Sequence, residues 1–266
     1  MSALAGLATA LANGDIEIVD LTHVLSPDFP VIVLPPEFGA CQPVRIEEVS
    51  RYDARGPAWY WNTITLSEHA GTHFDAPAHW ITGRALPNNT VDALPAKGLA
   101  APAVVVDVSA LCANDADFVF KREHCLAHEE KHGRVPPGAW VLLRTDWSKK
   151  VGHADYVGMR ADGAHSPGPD ASAIRFLVEE RDILGFGTET VGTDHGQGGH
   201  FDPPYPAHTI LHGAGKYGLQ CLKGLDRLPP TGAILVAAPL KILEGSGSPL
   251  RVIAFVERTE MQKEPV

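Results

Sequence analysis

Residues 69–79 read H-A-G-T-H-F-D-A-P-A-H and set His69, His73, Asp75 and His79 within eleven positions, around a glycine, a threonine and a proline. Neutral imidazole nitrogens and carboxylate oxygens are the donors that borderline divalent ions such as Zn²⁺ and Mn²⁺ accept, and three of them leave coordination positions free for water. An open position implies chemistry, so the stretch points to metal-dependent hydrolysis. One histidine alone would carry little, since the chain has 13 and an isolated pair is more often surface or core than ligand. Four donors framed by Gly71 and Pro77, residues that dictate the backbone, carry the inference. The run from Tyr60 to Leu66 reads as a strand that delivers the chain to Ser67, Glu68 and His69. Gly71 then permits a tight turn, and Pro77 forbids a regular helix. The spacing therefore predicts a site on a loop at a strand end, where one helical turn brings His69 and His73 together and an extended backbone adds Asp75.

The rest of the chain is punctuated by 26 glycines and 22 prolines. Short β-branched apolar runs between them read as strands: Ile16 to Leu21, Ala103 to Val108, Trp140 to Arg144, Ile183 to Thr188, Ala233 to Ala238 and Val252 to Val256. Most are nearly continuous, the pattern of strands buried on both faces. Helical spacing is clearest from Ala171 to Arg181 behind Asp170 as N-cap, with a second candidate over Arg122 to His132. A weaker one runs from Ala207 to about Lys223, interrupted by Gly213, Gly215 and Gly218. The expected class is mixed α/β around a central mixed sheet. With no repeat or linker in 266 residues, the chain reads as one domain, 1–266.

A net charge of -10 argues against nucleic acid or an anionic membrane as the main partner, because both need a basic surface. Cys41, Cys112, Cys125 and Cys221 are scattered without a C-x-x-C pair and fit a reducing compartment, the cytoplasm. The opening M-S-A-L-A-G-L-A-T-A-L-A-N-G lacks the Lys or Arg of a signal peptide and reads as an amphipathic helix ended by Asn13-Gly14. No apolar run is long enough to cross a bilayer.

The string at 69–79 meets every fixed position of H-x-G-T-H-x-D-x-P-x-H. It thereby resembles the signature of the cyclase family of metal-dependent hydrolases, which includes bacterial kynurenine formamidases and isatin hydrolases. R-T-D-W at Arg144 to Trp147, P-G-P-D at Pro167 to Asp170 and G-T-E-T-V-G-T-D at Gly187 to Asp194 resemble further landmarks in the family's order. The resemblance implies a swivelling β/β/α fold, a homodimer or dimer of dimers, and hydrolysis of an amide or cyclic amide. It also implies His69, His73 and Asp75 as metal ligands and His79 as proton shuttle or base. The formamidase branch carries a Glu twelve residues after an Ala-His pair; here Ala207-His208 is followed by Gln220, a neutral amide that brings no charge to offset a second cation. The expectation is one divalent ion, Mn²⁺ by resemblance to the isatin hydrolase branch or Zn²⁺ on ligand chemistry. His208 and Gln220 would turn toward the ligand sphere or the substrate, unless Gln220 is a polar residue on a helix face near solvent.

Trp59, Trp61, Phe74 and Trp80 lie close to the motif in sequence and suit the walls of a site for an aromatic fused bicyclic lactam, with ordinary core packing as the other reading. His79 and His208 are the expected catalytic residues, and opening of isatin to isatinate is the expected reaction. Arylformamidase action on N-formylkynurenine and metal or ligand binding without turnover are the alternatives. Three further features read as unrelated to the metal. Gly192 to His200 reads as a mobile solvated loop near the site, which leaves His195 and His200 without the frame a ligand needs. H-E-E-K-H at His128 to His132 reads as an exposed helix face. Cys221, with no basic partner, reads as buried rather than nucleophilic.

Overall fold

The computed structural model describes residues 2–258 apart from 33, 35, 36 and 40. In chain order the strands are β1 (Ile16–Asp20), β2 (Arg45–Asp53), β3 (Gly56–Thr65), β4 (His73–Asp75) and β5 (Ala100–Asp107). They continue with β6 (Val119–Phe120), β7 (Trp140–Arg144), β8 (Met159–Arg160), β9 (Gly163–Ala164) and β10 (Gly168–Pro169). The last are β11 (Gly185–Thr188), β12 (Tyr217–Gln220), β13 (Ala233–Val236), β14 (Gly247–Pro249) and β15 (Ile253–Glu257). Nine of them make one mixed sheet in the order β1-β15-β13-β5-β7-β11-β12-β4-β14. At its centre β5, β7, β11 and β12 run parallel, and antiparallel neighbours extend it on both sides.

Strands in the parallel centre are covered on both faces, which is why β5 and β7 are almost unbroken apolar runs. Along β7, Trp140 and Leu142 enter one core with Phe74, Tyr217 and Leu219. Val141 and Leu143 enter a second, with Val104, Phe186, Ile174 and Leu177. The helix Ala171–Arg175, capped by the Asp170 carboxylate accepting from the Ser172 and Ala173 amides, helps close that second face and runs on as a π-helical turn over Phe176–Glu180.

Three expectations change. The segment after Ala207 is a π-helical turn, His208–His212, followed by strand β12 rather than a continued helix. Gly218 explains the switch: a Cβ there would stand 2.9 Å from Asp75 Oδ2, so the two strands approach only because no side chain intervenes. Gln220 is consequently not on a solvent-facing helix but on β12, 5% exposed, directly opposite His73. The run from Tyr60 belongs to a separate β2–β3 ribbon whose strands, among the described residues, pair only with each other, and Trp59 (51%) and Trp61 (56%) are exposed on it rather than walling the motif. Nearness in sequence does not carry over, because the hairpin turns back on Arg45–Asp53.

Phe74, the third correction, lies between His73 and Asp75 on β4, and strand alternation sends it to the opposite face. It is fully buried, 5.1 Å from the Tyr217 ring and 6.0 Å from that of Trp140, as core rather than pocket wall. Phe74→Ala is expected to cost about 3–5 kcal/mol of unfolding free energy, read as a lower urea midpoint with an unchanged slope.

Candidate metal centre

The motif is only partly on a loop: His69 lies on a turn, whereas His73 and Asp75 project from one face of β4, aligned with Gln220 and Gly218 on β12. Gly71 takes a left-handed φ of +63°, and its carbonyl accepts from His73 Nδ1 at 2.8 Å. That bond leaves His73 Nε2 as a bare lone pair, 3.4 Å from Asp75 Oδ1. His69 reaches the same carboxylate oxygen with Nδ1 at 2.8 Å, while its Nε2 lies 3.0 Å from Ser246 Oγ. Gln220 Nε2 donates to the other oxygen, Oδ2, at 2.5 Å, and Gln220 Oε1 accepts from the Gly192 amide at 2.8 Å. Burial pushes the Asp75 carboxyl up, but the adjacent His73 and His79 outweigh it and hold the group well below the ordinary range.

His79 ends a short 3₁₀ turn, Pro77–His79, and lies against His69 with ring centroids 3.9 Å apart. Burial, with the neighbouring imidazoles of His69, His208 and His212 and against the pull of Asp75, lowers it to about 3. At neutral pH it is an unprotonated base. His208 differs: Asp194 accepts from its Nδ1 at 2.5 Å and from the Ala207 and His208 amides. Burial lowers the His208 pKa, but the Asp194 bond and charge more than offset this and raise it. Its Nε2 faces Asp75 Oδ2 at 4.0 Å. Trp80 lies beside it, ring centroids 4.8 Å apart, held by a 3.2 Å bond from Nε1 to Thr209 Oγ1.

The sequence reading missed two members. Asp194 lay inside a landmark without a role, and His212 was passed over although it follows His208 at the same four-residue interval as His73 follows His69. His212 is fully buried; its Nδ1 donates to the Lys216 carbonyl at 3.1 Å, and its Nε2 has no partner among the described residues. Donor atoms of His69, Asp75 and His79 lie within 4.8 Å of one another, as do those of Asp75, His208 and His212. Unpaired ring nitrogens converging on one buried carboxylate are the donor set a divalent cation takes.

The other candidates are structural. His195 is buried, its Nε2 donating to the Asp117 carbonyl at 2.9 Å and its Nδ1 accepting from Gln197, and Thr193 and Asp194 beside it are buried too, so this is a packed segment rather than a solvated loop. His200 is exposed. His128 turns inward from its helix while His132 faces solvent. Cys221 is buried, and burial pushes its thiol up to about 12, which removes it as a nucleophile.

Burial also lowers His23 to about 4 and His212 to about 4. Unfolded histidines titrate near pH ~6.5, so below that pH the unfolded chain binds protons that His23, His79 and His212 refuse. Stability of the metal-free protein is therefore present above ~6.5 and falls as pH drops toward ~4. The measurement is the Tm of chelator-treated protein against pH; an unchanged Tm across that window contradicts the burial argument.

The cyclase family model matches residues 19–195. Isatin hydrolase of Roseibium aggregatum is 46% identical over 259 residues, covering 97% of this chain and 98% of that protein. The structure of isatin hydrolase A from Labrenzia aggregata, bound to benzyl benzoate, superposes with a TM-score of 0.95 at 63% identity, covering 97% of this chain and 100% of that one. Kynurenine formamidase of Polaromonas naphthalenivorans is 29% identical over 194 residues, 72% of this chain and 73% of that protein. Matched by the family over residues 19–195 and by the isatin hydrolases over 97% of its length, with the motif's donors gathered around Asp75, the chain belongs to the cyclase family.

Proposed function

We propose that the chain opens the lactam of isatin to isatinate, as one domain using one divalent ion held by His69, His73 and Asp75. The ion is Mn²⁺, with Zn²⁺ as the alternative. Bound there, it polarises the lactam carbonyl and brings the pKa of a water to ~7. The observation that carries this reading is Gln220. A neutral amide donates to Asp75 Oδ2 where a second carboxylate would recruit a second ion, so the site is built for one charge centre. The substrate is supported by the two isatin hydrolases, 46% and 63% identical, that cover 97% of this chain.

The chain's own groups then divide the work. Water adds to the carbonyl carbon, the C–N bond breaks, and the nitrogen leaves as an aryl amine. His79, neutral and beside the ligands, takes the water's proton and returns it to that nitrogen. His208, whose hold on a proton Asp194 strengthens, would donate from Nε2 to the oxygen on which charge develops. Trp80 offers a flat wall for the fused ring.

The protein would act as a homodimer or dimer of dimers in the cytoplasm. The β2–β3 ribbon supports the first point, because it exposes Ile46, Tyr52, Trp59, Trp61 and Ile64 on two strands that find no third among the described residues. The four free cysteines fit the second. No helix among the described residues is long and apolar enough to cross a membrane.

The test incubates metal-loaded protein with isatin and, separately, N-formylkynurenine, following ring opening and deformylation by absorbance, with elemental analysis of the same sample. Isatin turnover with one ion per chain is the expected result. Faster deformylation, or two ions per chain, favours the formamidase reading, and metal binding without turnover of either compound overturns both.

A further inference from the structure

Between Glu68 and Asp75 runs an unbroken chain of polar contacts through Ser246 and His69. Ser246 Oγ donates to Glu68 Oε2 at 2.6 Å, and the Ser246 amide donates to the same oxygen at 3.1 Å. A hydroxyl has one proton. With that proton committed to Glu68, Ser246 Oγ faces His69 Nε2, 3.0 Å away, only as an acceptor, so the imidazole proton sits on Nε2. The Nδ1 lone pair then points at Asp75 Oδ1 across 2.8 Å. Two acceptors at that separation repel unless a cation lies between them.

We infer that Glu68 and Ser246 act as a positioning pair: they lock His69 in the tautomer that presents Nδ1, rather than Nε2, to the ion shared with Asp75. The arrangement joins distant parts of the chain for this purpose. Glu68 immediately precedes the ligand, whereas Ser246 comes from the turn before β14, where Gly247 leaves room for the ring; a Cβ there would stand 2.5 Å from His69 Cε1. His73 is fixed in the complementary sense, with its proton on Nδ1 and Nε2 presented. The two imidazoles therefore meet the ion through different nitrogens, each set by an oxygen acceptor behind it.

The inference rests on the metal reading above, so its test reads metal affinity rather than turnover. Mn²⁺ is titrated into chelator-treated wild type, Ser246→Ala and Ser246→Thr, with the free ion followed by its paramagnetic resonance signal. Each variant's Tm is taken without metal. Ser246→Ala keeps the backbone bond to Glu68 but deletes the acceptor behind Nε2, and should weaken Mn²⁺ binding about 10- to 100-fold with the metal-free Tm unchanged. Ser246→Thr, which keeps the hydroxyl, should bind as wild type does. Wild-type affinity in Ser246→Ala overturns the positioning role, as does equal weakening in both variants. A wild-type protein that binds no Mn²⁺ overturns the metal reading beneath it.

Discussion

Asp75→Ala is expected to strip the protein of its divalent ion and to lower kcat/KM by at least about 10⁴-fold, because the shift of a water's pKa from ~15.7 to ~7 is lost with the metal. Among the described residues no other carboxylate belongs to either donor group. Its two oxygens are approached by His69, His73, His208 and Gln220, it is fully buried, and it is the shared member of both donor groups. Removing it leaves several imidazoles and an amide facing a hole with no anion to offset a cation. Asp75→Asn separates charge from shape: it keeps the volume, should keep the fold by circular dichroism, and should lose the metal all the same. Metal retained in either variant by elemental analysis, or activity retained in either, overturns the assignment of Asp75 as a ligand.

His79→Ala should behave in the opposite way toward the metal. The ion stays, at the wild-type ratio per chain, while kcat falls about 10²- to 10⁴-fold with KM little changed, the loss typical of a missing general base. The ring packs against that of His69 at a tilt of 33° without sharing its contacts to Asp75 and Ser246, so its removal leaves the ligand's anchors in place. The vacated space also suggests a control: added imidazole should restore part of the rate in His79→Ala and none in Asp75→Ala. If His79→Ala loses its metal, His79 is a ligand and the base lies elsewhere.

The run at Trp140–Arg144 was legible residue for residue, because a strand buried on both faces writes itself as uninterrupted apolar sequence. The helix Arg122–His132 matched too. What escaped was built by pairing across the chain. β4 is three residues long and two of them are polar, so nothing local marks His73–Asp75 as a strand; it becomes one by pairing with β12 and β14 on either side. β12 was masked by its own glycine, which exists to make room for Asp75. Asp194 and His212 could not be assigned from spacing, since each acts through the fold: one by accepting the hydrogen bond from His208 Nδ1, the other by turning an unpaired nitrogen into the cluster. The donors were legible as chemistry; their supports are a property of the topology.

Gln220 bears on how such enzymes diverge. Glutamine and glutamate have the same shape, and their codons differ in a single base. At this position Oε1 accepts from the Gly192 amide, a contact that a carboxylate oxygen makes equally well. The other atom, the amide nitrogen against Asp75 Oδ2, is the one that cannot become an oxygen without a positive charge to separate it from its neighbour. On the proposed one-ion reading, a mononuclear and a binuclear centre at this position would be one base change apart, divided by a unit of charge. Gln220→Glu, expected to raise the metal content from one ion per chain toward two, would retrace that step in the laboratory.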